Sequence, residues 1–148
     1  MTAGPTSSDW QQTARLLGWL GVLPFVLMVV LAWTGGPNWV VDLVVGYGLL
    51  ILAFMGGTLW TGAIERSKEP QAPLLASNLI VLAALPALLL PLGSAALLLA
   101  VLFTLHWLAE RIWIGHKQAG WYRRMRTAIS GVVIVLLVMT SGVYFSAL

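Results

Sequence analysis

Few residues in this chain carry side chains able to do chemistry, and the most suggestive stand together in "LFTLHWLAERIW", residues 102–113. His106 and Glu110 are four apart, so on a helix they share one face. Imidazole changes charge near neutral pH, and a carboxylate beside it can steady that charge. Two readings follow. One is a local hydrogen-bonded pair that pins its helix to a basic loop. The other is a proton-sensitive site, or a clamp on the polar head of an anionic lipid or quinone. Counting from Ser94, His106 lies roughly 18 Å along a helix at its usual rise. Glu110 is one turn further on, with Arg111 beside it. Asn78 and the hydroxyls of Thr58 and Thr61 fall at similar depth on neighbouring segments, with Asn78 also readable as interhelical glue. Gly56, Gly57, Trp60, Asn78, His106, Glu110, Tyr122, Arg123 and Arg126 therefore form the candidate ligand or partner site.

Other chemistries find no support. The chain has no cysteine and two histidines, His106 and His116, the second read as solvated. There is no H-E-x-x-H, no phosphate-binding glycine loop and no G-x-S-x-G elbow, so no metal, no cofactor and no catalytic residue is expected. The run Arg123–Arg124–Met125–Arg126 is better assigned to topology and anionic headgroups, at about 1 kcal/mol per basic residue near such a surface, than to nucleic acid. Asp42 reads as a helix-end charge. Tyr144, Thr140 and Ser141 read as interfacial residues.

The segments that must position these groups belong in a membrane. Of 148 residues, 59% are hydrophobic and 9% charged, against roughly 25% charged in soluble proteins. Charges this sparse cannot cover a soluble core. Five apolar stretches of spanning length are expected at about 14–34, 39–64, 73–92, 94–115 and 127–147, after a polar segment at 1–13. The first reads as a retained span rather than a cleaved leader. Spans 3 and 4 are read as two full crossings rather than a re-entrant hairpin. Short connections make sequential neighbours antiparallel. With five spans, all eight basic residues (Arg15, Arg66, Lys68, Arg111, Lys117, Arg123, Arg124 and Arg126) fall at one end. The expected architecture is one all-α domain, 1–148, an integral membrane bundle of five transmembrane helices. Positive charge predicts a cytoplasmic N-terminus and a periplasmic C-terminus; in a mitochondrion the basic side would be the matrix. Trp10, Trp33, Trp39, Trp60, Trp113 and Trp121 lie near span ends as interfacial anchors, while Trp19 and Trp107 are expected to pack internally.

Helices in lipid associate through small residues. On span 2, Gly46, Ala53, Gly57 and Thr61 share a face, widened by Gly56, with Gly62 near the basic end. Span 2 is therefore expected to be the central helix, against Gly18, Gly21 and Pro24 of span 1. The glycine pair has a second reading, close backbone approach by a lipid, quinone or other ligand.

Several motifs together carry a family likeness: "LGWLGVLPF" in span 1, "ILAFMGGTLWTGA" closing span 2, Glu110–Arg111, and "GWYRRMRTA" opening span 5. The pattern F-x-G-G-x-x-W falls on Phe54, Gly56, Gly57 and Trp60, and W-Y-x-x-x-R on Trp121, Tyr122 and Arg126. From about Leu16 to the start of span 5 the chain resembles the family catalogued as domain of unknown function 3429. That resemblance implies a small multi-span protein of bacterial inner membranes, with mitochondrial relatives, and no reaction. Where such relatives often carry His-Trp-Gly, this chain has Leu59–Trp60–Thr61. The expected role is a non-enzymatic accessory, assembly or stabilising factor of the inner membrane, binding the bilayer, other membrane proteins or a second copy of itself. The alternative is a carrier or binding protein for a quinone or lipid.

Overall fold

The computed structural model describes residues 7–145, and within them all regular structure is helical. Five α-helices follow one another: α1 Ser7–Trp33, α2 Asn38–Arg66, α3 Gln71–Ala83, α4 Leu92–Trp113 and α5 Gly120–Phe145. Each of these segments, α3 with its 3-10 extension, is long and apolar enough to cross a bilayer. The exterior agrees: Phe54, Leu79, Leu89 and Ile112 point outward, a surface that lipid solvates and water would not. The chain is a multi-pass membrane bundle.

Glycine and proline punctuate the helices. After α1, Gly35 takes a φ of 77°, the left-handed conformation that glycine adopts without strain. The turn lets the Gly36 amide donate to Leu31 O at 2.9 Å. Pro37, Pro70 and Pro91 stand immediately before α2, α3 and α4, where a missing amide hydrogen disturbs no helical bond. Pro86 acts differently. It follows Ala83 closely, ends α3 after 13 residues, and the chain continues as a 3-10 helix, Leu85–Leu89. The expected continuous span at 73–92 is thus a shortened α-helix with a tighter extension, because proline lacks the amide that would continue the ladder.

Two other boundaries move. The helix α1 starts at Ser7, so residues 7–13 of the polar segment are helical, while 1–6 and 146–148 lie outside the described residues. The helix α5 starts at Gly120, so Trp121, Tyr122 and Arg123 to Arg126 are helical residues rather than part of the connection before the span expected from 127.

Helices α1, α2, α4 and α5 close a four-membered ring, and α3 packs outside against α2 and α4. The central helix is α4, not α2 as expected: 56% of its apolar window is buried, against 39% for α2. Phe25, Leu52, Leu99, Phe103, Val133 and Leu137 fill the middle. The expected small-residue face of α2 is not its packing face. Ala53, Gly57 and Thr61 are exposed, and a Cβ on Gly46 or Gly57 would meet nothing within 4 Å. Close approach occurs instead at Gly48, Gly56 and Gly62, where a Cβ would come within 3.1 Å of Leu99, 2.9 Å of Val81 and 2.6 Å of Ile114. Away from the basic end, Tyr47 Oη donates to Gly21 O at 2.8 Å, Trp33 Nε1 to Thr140 Oγ1 at 3.1 Å, and Tyr144 Oη to Ala32 O at 3.0 Å. Thr140 and Tyr144 are thus interhelical ties, with Thr140 fully buried, rather than interfacial residues. Trp19, expected inside, is exposed.

Candidate functional site

At the basic end, the last turn of α4 presents Glu110 inward, 5% exposed. Arg126, in the second turn of α5, meets it along both edges: Nη2 to Oε2 at 2.8 Å and Nε to Oε1 at 3.3 Å. This two-point geometry fits a planar guanidinium to a carboxylate. Gln118, in the α4–α5 turn, donates Nε2 to Oε1 at 2.7 Å. Arg126 also donates to Thr58 Oγ1 on α2 at 3.1 Å, and Thr58 passes its own proton to Met55 O at 2.7 Å. The Arg126 guanidinium lies 6.0 Å from the Tyr122 ring centre. One ion pair therefore ties α2, α4, α5 and the connecting turn. Both side chains are nearly sealed, at 11% and 7% exposure, so the carboxylate is committed to its partners and poorly placed as a base. A second knot lies alongside. Arg111 donates to Thr127 Oγ1, sits over Trp107 at 5.3 Å, and Thr127 donates to Arg123 O at 2.9 Å.

His106, one turn deeper, is fully buried, and neither ring nitrogen has a hydrogen-bond partner among the described residues. The Met55 carbonyl lies alongside without reaching hydrogen-bond geometry. The expected local His106–Glu110 bond is not formed, because Arg126 and Gln118 occupy the carboxylate.

Beside the ion pair a cleft of about 750 Å³ opens between the basic ends of α1 and α2. Its cause is the course of α1. Near its start α1 is held to α5, where Gly18 approaches Ile129 and Met125 and the Trp10 ring meets Trp121 edge-on at 5.6 Å. Further along it is held to α2, through Tyr47 and the Phe25–Tyr47 stack. The basic end of α2 is left uncovered. Along α2 the lining runs from exposed Phe54 and Gly57 in the apolar stretch to Thr61 and Glu65 at the basic end, joined there by Gln118, Trp121 and Tyr122 and by Trp10 of α1. Gly57 has no side chain to fill the space. Thr58, Gln118 and Tyr122 belong to both the cleft wall and the Glu110–Arg126 network.

The structure thus brings Glu110, Arg126 and Tyr122 together and sets Gly57 in the adjoining cleft. Gly57 also lines, with Gly56, Trp60 and Asn78, a second groove toward α3. Gly56 packs against α3. Trp60 and Asn78 face outward on a shallow groove of about 270 Å³ between α2 and α3. Among the described residues Asn78 bonds within its own helix, Nδ2 to Leu74 O at 2.9 Å, so it forms no interhelical hydrogen bond. Arg123 is exposed, touching the network at its edge. Sequence reasoning missed Gln118 and Glu65 entirely: a single amide in a turn and a single acid near a helix end carry no periodic signal. Among the described residues, no three His, Asp or Glu side chains gather to hold a metal.

A family model described as "Protein of unknown function (DUF3429)" matches residues 10–142, nearly the whole chain. No curated protein and no solved structure matches it.

Proposed function

We propose a function for a chain that belongs to the DUF3429 family of proteins of unknown function: it is a non-enzymatic membrane protein that holds one amphiphile, of lipid or quinone type, in the α1–α2 cleft. The observation that carries this reading is the cleft's polarity gradient. An apolar tail would lie along Phe54 and over Gly57, and a polar head would sit among Thr61, Glu65, Gln118 and Tyr122. A site of this volume with few polar groups is typical of small-molecule binding. The carboxylate of Glu65 in the wall opposes an anionic head and favours an uncharged head or one bearing an ammonium group. The Glu110–Arg126 network acts as a fixed wall that keeps Gln118 and Tyr122 in place. The basic end is assigned to the cytoplasm of a bacterium, with the C-terminus across the inner membrane, on the positive-inside rule.

Native mass spectrometry of gently extracted protein tests the reading. The wild type should retain one amphiphile per chain, and Gly57→Leu, which fills the cleft and removes a helix glycine, should release it while remaining folded. Equal retention by both proteins would defeat it.

A second reading rests on a separate observation. Gly46, where a Cβ would meet nothing within 4 Å, and exposed Ala53 line an apolar groove of about 540 Å³ on α2 flanked by Met28 and Leu85, a surface that another helix can approach closely. There the protein would act as an accessory or assembly factor, docking a membrane partner or a second copy. Gly46→Leu, remote from the cleft, should then release a protein partner and leave the amphiphile bound.

A further inference from the structure

On the other side of Trp121 from the cleft, the seam between α1 and α5 holds a separate groove of about 340 Å³. We propose that it is a binding site for the phosphate headgroup of an anionic phospholipid, gripped by Arg15 and Arg124. It is independent of the amphiphile cleft, which shares with it only Trp121.

The two helices build this groove by spacing. Arg15 and Trp19 stand one turn apart on α1; Trp121, Arg124, Met125 and Ala128 follow the i, i+3, i+4, i+7 pattern on α5, so each set shares a face. Gly18 lets the helices meet there: a Cβ would lie 3.0 Å from Ile129 and 3.5 Å from the Met125 sulfur. That contact closes the seam, leaving a notch rather than a gap. The Arg15 guanidinium rests on the face of Trp121, 5.4 Å from its centre, so a cation–π contact holds it in place.

The charge in the groove is one-sided. Two guanidinium groups line it and no carboxylate does. Among the described residues neither arginine is in a salt bridge. This separates them from Arg126, which Glu110 neutralises, and from Arg111, which Thr127 and Trp107 engage. The remaining walls, Trp19, Met125 and Ala128, are apolar and continue along the helices away from the headgroup level. Exposed Trp19 supplies the aromatic edge typical of a bilayer interface. A phosphodiester carrying acyl chains matches both halves of the groove, whereas free phosphate uses only the arginines. The occupant is therefore a lipid.

The test is lipid titration of the purified, delipidated protein, followed by native mass spectrometry and thermal unfolding. Phosphatidylglycerol should bind and raise the unfolding temperature, and phosphatidylcholine should do neither at the same concentration. Arg15→Gln with Arg124→Gln should weaken phosphatidylglycerol binding about 30-fold, from two basic residues acting near an anionic headgroup. Arg123→Gln, at the same end but outside the groove, should change it less than about twofold, because an exposed charge away from the bound headgroup is screened by salt. Should the double variant fail to fold, Ala128→Leu serves instead: it narrows the apolar wall, keeps both charges, and should also weaken binding. A loss of about fivefold in Arg123→Gln, what one basic residue contributes near an anionic surface wherever it stands, would mean diffuse charge attraction and overturn the site. Stabilisation by inorganic phosphate equal to that by the lipid would overturn the choice of occupant. Retention of the amphiphile by the double variant is expected in either case, so failure here is separable from failure of the cleft.

Discussion

At the scale of single residues, the ion pair of Glu110 and Arg126 is nearly sealed, at 7% and 11% exposure. Breaking such a pair leaves an unpaired buried charge, at about 3–5 kcal/mol, whereas replacing both partners by well-packed apolar groups is often neutral or stabilising. Glu110→Gln alone should therefore lower stability by roughly that range, since Arg126 would keep its charge without a counterion. Glu110→Met with Arg126→Met should recover most of the loss. In the same series His106→Leu should stabilise, because an unpartnered buried polar group costs about 1–3 kcal/mol. Thermal unfolding in detergent reads all of these. A His106→Leu protein that folds less stably than wild type would mean that the imidazole is held by a bond formed in the bilayer. The sequence made Glu110 conspicuous, since a carboxylate in an apolar span is rare. It did not reveal the partner. The i, i+4 rule pointed to His106, whereas Arg126 comes from another helix and Gln118 from a turn, and no local spacing encodes such a meeting.

At the scale of helices, five apolar runs and their order were legible, because lipid demands about 20 apolar residues per crossing. Facing was not. A soluble helix marks its inner face by hydrophobicity, but here the outer face is as apolar as the inner: outward Phe54 and buried Met55 are neighbours. Small residues were the remaining cue, and they misled, since a glycine can permit close packing or simply leave space. Gly56 and Gly57 illustrate the two cases. A Cβ on Gly56 would stand 2.9 Å from Val81 of α3, and one on Gly57 would touch nothing. Gly56→Ala should thus force α3 outward and lower the unfolding temperature. Gly57→Ala should be neutral or raise stability by about 0.5–1 kcal/mol, the usual helical gain over glycine. Similar effects of the two substitutions would contradict the assigned rotation of α2. The prolines were not read as boundaries: the expected span 73–92 runs through both, whereas Pro86 ends α3 early and Pro91 stands before α4.

At the scale of the whole molecule, function divides along the bundle axis. Toward the end marked by Trp33, Tyr144 and Thr140, hydrogen bonds join α1 to α5, and the packing around Phe25 and Val29 is closed. At the basic end the bundle spreads: α1 leans on α5, and the cleft opens against α2. A bilayer senses that asymmetry through charge. All eight basic residues belong to this end, though Arg126 is neutralised in its ion pair and adds little to the field outside. The remaining seven still outweigh the opposite end, which carries no basic residue, and on the positive-inside rule the cleft is expected to face the cytoplasmic leaflet. Reporter fusions in a bacterial host check this. Alkaline phosphatase joined at the C-terminus should be active and green fluorescent protein joined there dark, with the reverse for fusions truncated within the α4–α5 turn. The opposite pattern would place both proposed ligand sites in the outer leaflet, where the lipids available to Arg15 and Arg124 differ. The C-terminal fusion therefore decides from which leaflet each site must be filled.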